Sequence, residues 1–133
     1  MTGQPREFER LILAAGAAAV RRVQLRAFQA LTSGTPVDTG FARSGWVPSF
    51  GSPVLDRVPA PGERGTAVQA AISRFAENRA RALSIAGTYN IALGPVFISN
   101  AVPYIVRLNE GHSSQAPAMF VERAVEIAAR ATL

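Results

Sequence analysis

Hydrophobic positions in the first quarter of the chain recur at three and four residues, the spacing of one face of an α-helix. The pattern predicts a helix from about Arg6 to Leu31. Pro5 stands where a first-turn proline is tolerated, Thr2 and Gln4 are poor caps, and Gly34 followed by Pro36 ends the run. At about 1.5 Å per residue this helix is about 39 Å long, more than the diameter expected for a domain with a radius of gyration of about 14 Å. It must protrude or lie along a neighbour. Phe8, Leu11, Ile12, Ala15, Ala19 and Val23 form one apolar stripe; Leu13, Ala17, Val20, Ala27, Phe28 and Leu31 form a second, roughly opposite. A surface helix of a monomer needs one stripe. Two readings stand: an alanine-rich helix that looks apolar all round, with Gly16 as a kink point, or burial on two sides. On the second, Leu13, Val20, Phe28 and Leu31 are the candidate contacts with another subunit.

Beyond Pro36 the pattern changes. Asp38 or Thr39 can cap a single helical turn, and Trp46-Val47-Pro48-Ser49-Phe50 reads as a short strand with Trp46 and Phe50 on one face. Pro48 makes it an edge strand or a bulged one. The stretch from Gly51 to Gly65 contains Pro53, Pro59 and Pro61 and has no periodicity, which predicts an arm or a long loop. A second helix is expected from about Thr66, as N-cap, to Ala86, with Val68, Ile72, Phe75, Arg79 and Leu83 on its repeating face and Gly87 as its stop. Tyr89 to Leu93 alternates, and Val96 to Ser99 is β-branched and aromatic, so both are strand-prone. Tyr104 to Leu108 fits a short helix. A last helix follows Pro117, with Phe120, Ala124, Ile127, Ala128 and Ala131 as its buried stripe. The sum is an α+β fold: a small antiparallel sheet packed against a long N-terminal helix, a middle helix and a C-terminal helix.

Composition narrows the class. At 133 residues the chain suits one domain, 1–133, and 48% apolar against 17% charged residues is enough to build a core. There is no cysteine, hence no thiolate or disulfide chemistry. No run reaches the roughly 20 apolar residues needed to span a bilayer, and the mixed charge of Arg6 and Glu7 makes a poor signal peptide, so an intracellular origin is expected. The formal net charge is +5, and all basic residues are arginine. Arginine suits interfaces and phosphate sites through its planar fork. A GC-rich genome gives the same replacement of lysine, and the dispersed arginines favour that explanation.

Catalytic chemistry has little to build on. His112 is the sole histidine; beside Ser113 and Ser114 it reads as a polar residue in a glycine–serine loop, and no Gly-x-Ser-x-Gly elbow accompanies it. One histidine and no cysteine argue against zinc, and the absence of lysine excludes a P-loop. Paired carboxylates could serve a glycosidase, but Asp38 and Glu110 sit in turn contexts. The expectation is a protein that is not an enzyme and carries no cofactor or metal.

Two stretches carry a resemblance. The first is Thr35-Pro36-Val37-Asp38-Thr39-Gly40 followed by Arg43-Ser44-Gly45-Trp46. The second runs from Phe97 through Asn100, Pro103, Tyr104, Asn109, Glu110 and Gly111 to Ala116-Pro117. In order and separation they resemble the neck, or head–tail connector and tail-completion, proteins of long-tailed bacteriophages. The similarity spans nearly the whole chain; Tyr89 to Gly94 looks like extra length against the family pattern. It implies a virion protein, assembled in the host cytoplasm, that forms a ring, a hexamer by expectation, at the head–tail junction. Its implied partners are further copies of itself, the head connector or adaptor, and the tail terminator or tail tube. It also implies structural motif roles: Thr35, Pro36, Asp38, Thr39 and Gly40 at the turn into the first strand, Asn100, Pro103 and Tyr104 at the strand-to-helix corner, Glu110 and Gly111 at the next turn, and Pro117 at the last helix. A tail-terminator ring protein is the alternative, and a basic DNA-binding module is a further one. Transient contact between arginines and DNA in the channel, and a 51–65 arm that orders on meeting a partner, complete the expectations.

Overall fold

A computed structural model describes residues 3–37, 40–56, 63–111 and 119–130. Helix α1 runs over Gly3–Gly34, about three residues longer at each end than the hydrophobic pattern predicts. Its end is held by short side chains. Thr32 Oγ1 donates to the carbonyl of Phe28 at 2.8 Å, and Thr35 donates to Leu31 O through both its Oγ1 and its amide. The Thr35 bonds satisfy the Leu31 carbonyl, which has no partner inside the helix, and Pro36 then prevents continuation.

Strand β1, Trp46–Phe50, pairs antiparallel with strand β2, Val96–Asn100, with Trp46 opposite Asn100 and Phe50 opposite Val96. The sheet formed by the described residues has these two strands, so Pro48, opposite Ile98, removes no bond from a third. Between the strands in sequence lies helix α2, Arg64–Thr88, followed by a 3-10 turn at Ile91–Leu93. Helices α3, Ile105–Asn109, and α4, Phe120–Arg130, complete the order. Helix α1 packs along α4 and α2, and α2 covers β1. Among the described residues the result is a small α+β fold with a sheet, three long or medium helices and one short one.

The main core joins Phe28, Leu31, Trp46, Ala82, Phe120 and Ala124. A second cluster holds Ala17, Ile85 and Tyr89, with Val20 and Val96 against it, and a third holds Phe41, Ala42 and Val102. Where helices meet, small residues do the packing. Ala82 is wholly buried, and a β-carbon at Gly34 would stand 3.6 Å from that of Phe120.

Several expectations are corrected. Phe28 and Leu31, expected on a subunit interface, are 2% and 5% exposed in the chain's own core, while Val20 is half-buried against the second cluster. The buried face of α2 is Ala67, Ala71, Asn78, Ala82 and Ile85; Ile72, Arg79 and Leu83 of the expected stripe are exposed. Close approach selects alanine at the contact and leaves the larger side chains outside. Ile127 is exposed for the same reason on α4, whose buried positions are Phe120, Ala124 and Ala128. Helix α2 also starts before Thr66 and passes through Gly87 to a C-cap at Tyr89. Tyr89 to Leu93 is no strand. Tyr89 is buried, its hydroxyl donates to Gly94 O at 2.6 Å, and Asn90 Oδ1 accepts from Ala92 N to close the 3-10 turn.

Candidate functional site

The two stretches that carry the resemblance, some sixty residues apart, meet in space. Trp46 Nε1 donates to Thr35 Oγ1 at 2.8 Å, tying the end of α1 to the start of β1. Both partners are buried, as is Pro36 between them in sequence. Asn100, at the end of β2, donates through Nδ2 to Ala42 O at 2.9 Å and accepts from Val102 N at its Oδ1. One side chain thus fixes the strand-to-helix corner and joins it to the turn before β1. From α2, Asn78 Nδ2 adds a bond to Ser44 O at 2.8 Å. Gly45 sits under this corner. A β-carbon there would lie 2.7 Å from both Asn100 Oδ1 and Val102 Cγ2, a distance no real contact tolerates.

Gly40 and Gly111 have φ of 85° and 96°, the left-handed region that glycine enters without strain. Ser44 N donates to Gly40 O at 2.9 Å, and Gly111 N donates to Leu108 O. Pro103 and Tyr104 are exposed and enter α3 through Ile105 N to Val102 O and Leu108 N to Tyr104 O. Glu110 is exposed beyond α3 and donates its amide to Val106 O and Arg107 O. Asp38, Thr39, His112 and Pro117 lie outside the described residues, as do residues 57–62 of the expected arm.

Sequence reasoning missed Asn78 and three further polar anchors. Asn109 organises the start of α4: its Oδ1 accepts from Val121 N at 2.9 Å, its carbonyl from Met119 N at 2.6 Å, and its Nδ2 lies 3.0 Å from both Glu122 carboxylate oxygens. Gln24 Nε2 donates to Ala82 O, and Arg21 Nε donates to Tyr89 O, both from α1 to α2 or its C-cap. A polar residue on an apolar helical face was the available signal for Gln24. Asn109 carried none, because its partners are ten or more residues away.

The surface shows two further features. Residues 7–15 of α1 are exposed throughout, with Phe8, Leu11 and Ile12 at 66%, 65% and 56% and Leu13 close behind. Leu13 alone of the expected interface residues is well exposed; it borders a cavity of about 340 Å³ with Ala14, Ala17, Arg21 and Ile91. The second feature is a pair of arginines on aromatic rings. The Arg43 guanidinium lies 4.9 Å from the centroid of Phe75, and that of Arg74 lies 5.0 Å from Phe41. Burial lowers the pKa of Arg74, opposed by the charge of Glu77.

A comparison of the chain with protein-family models, with curated proteins and with solved structures found no match. Among the described residues no group of three or more His, Cys, Asp or Glu side chains could hold a metal ion, and no helix is long and apolar enough to cross a membrane. The geometry therefore offers a rigid corner and an uncovered helix tip. Chemically, the arrangement positions backbone at the corner and leaves large apolar side chains exposed on the helix tip.

Proposed function

We propose that this chain is a structural virion protein, forming a ring at the head–tail junction of a bacteriophage and joining the head connector to the tail. The observation that carries the reading is the uncovered apolar tip of α1. Large apolar side chains scattered singly on a surface are ordinary, but Phe8, Leu11 and Ile12 form one stripe on a helix segment whose residues 7–15 are all exposed. A stripe of this kind is stable in water when another subunit covers it. The resemblance of the two motif stretches supplies the setting, and their meeting at Asn100 and Gly45 supports a scaffold role for this corner.

The test is solution mass by light scattering over a concentration series, for the native chain and for the Phe8→Asp/Leu11→Asp variant. A closed oligomer, a hexamer by expectation, should form from the native chain. The variant should stay monomeric with an unchanged melting temperature, because neither position contributes to the core. Equal assembly of both proteins would remove the tip from the interface. Pull-down of the native ring by a head connector, rather than by a tail tube alone, separates the neck role from that of a tail terminator.

A further inference from the structure

The ladder between β1 and β2 fixes which backbone groups the sheet uses and which it leaves over. Gly51 N donates to Pro95 O at 2.8 Å, one step beyond the pair Phe50 and Val96. Gly51 and Pro95 therefore stand opposite each other at a hydrogen-bonded position. Such positions alternate with non-bonded ones in an antiparallel ladder, so the sheet's own bonds fall at Ser49–Phe97 and Val47–Ser99. The pairs Trp46–Asn100, Pro48–Ile98 and Phe50–Val96 turn their backbone groups outward, to the two edges of the sheet.

The two edges differ. On β1 the middle outward position is Pro48, which has no amide, is almost fully buried and belongs to the strand that α2 covers. On β2 the outward positions are Val96, Ile98 and Asn100, each with an amide and a carbonyl and each half-exposed. Among the described residues no other group bonds these amides and carbonyls. Val96 and Ile98 send their side chains into the core beneath, and by alternation Phe97 and Ser99 stand on the opposite face. The strand has no charge, no proline and no bulge, the devices that usually keep an edge from pairing.

Another extended strand satisfies such a row, and β2 is complementary to itself. Turned about a two-fold axis through Ile98, a second β2 sets Ile98 opposite Ile98 and Val96 opposite Asn100, so every donor meets an acceptor at the two-residue spacing. No like charges meet across the axis. We propose that the outer edge of β2 pairs antiparallel with the same edge of a second copy, joining their sheets into one. The contact is two-fold, so it is distinct from a head-to-tail ring contact and does not rest on the ring reading. It adds few bonded pairs and little apolar area, well short of the roughly 1,200 Å² of a stable interface, and is therefore transient.

The chain has no cysteine, so introduced thiols report the contact. Ser99 of one copy would face Phe97 of the other at a non-bonded position, with Cα atoms about 4.5 Å apart and within disulfide range. Each stands about 7–8 Å diagonally from its own counterpart, outside that range. Full-length Phe97→Cys and Ser99→Cys, mixed under mild oxidation, should give several times more linked dimer than either variant alone. Val47→Cys mixed with Ser49→Cys, the same spacing around Pro48, should give only background. Equal linking by the single variants or by the β1 pair overturns the proposal, as does a mixture without the link. The native chain supplies a second measurement that no substitution can disturb. Its Ile98 amide should exchange with deuterium about twofold more slowly once half the chains are paired, while the Phe97 and Ser99 amides stay unchanged. Ile98 exchange that does not depend on protein concentration overturns the edge contact. A ring that forms without either signal leaves the ring reading standing and removes this contact.

Discussion

Gly45 leaves no room for a side chain, and the corner it supports is tightly specified. Gly45→Ala should cost about 1–3 kcal/mol, the usual range for overpacking, because Asn100 and Val102 cannot both retreat without giving up the bonds to Ala42 and Val102 N. Urea denaturation of the variant checks it. Asn109→Ala removes the acceptor that holds Val121 N at the start of α4 and should cost about 1 kcal/mol, as loss of a helix cap does. At this scale the sequence was informative where chemistry is local. Thr35 ahead of Pro36, and glycines at 40 and 111, could be read as turn residues from their neighbours alone. Asn78 and Asn109 could not, since each finds its partner across an element boundary.

Elements were legible in kind and less so in their faces. Among the described residues both strands and the four helices fall close to where the sequence placed them, but the alternation of Tyr89 to Leu93 marked a strand where a 3-10 turn lies. The buried side of α2 and α4 was misjudged at Ile72, Leu83 and Ile127, all exposed. Hydrophobicity favours the largest side chains for the core, whereas helices that approach closely bury alanine. The same geometry reassigns α1. Its C-terminal half belongs to the core, so Phe28→Ala should destabilise the fold by about 3–5 kcal/mol. Its N-terminal turns do not, so a chain lacking residues 1–13 should keep its melting temperature within a few degrees. Calorimetry on the two variants separates these halves: a large drop on removing the tip would mean that the tip packs on its own subunit.

For the whole molecule, a net charge of +5 from arginines spread over α1, α2, α3 and α4 gives a weak positive field rather than a basic groove. Duplex DNA should therefore bind the native protein weakly, with retention falling steeply between about 50 and 200 mM salt. Tight binding that survives the higher salt would favour the DNA-binding module over a passage role. Fold class was readable from the sequence because few architectures accommodate two short strands among long helices. Which surface stays uncovered was not, since both stripes of α1 look alike until α2 and α4 are in place. The hydrogen bond from Trp46 to Thr35 bears on how all of this is observed. Trp46 is the sole tryptophan and is almost fully shielded where α1 hands the chain to β1. Its emission is a built-in optical gauge of that junction: it shifts to longer wavelength when the junction opens to water, and it is blind to events at the far tip of the helix.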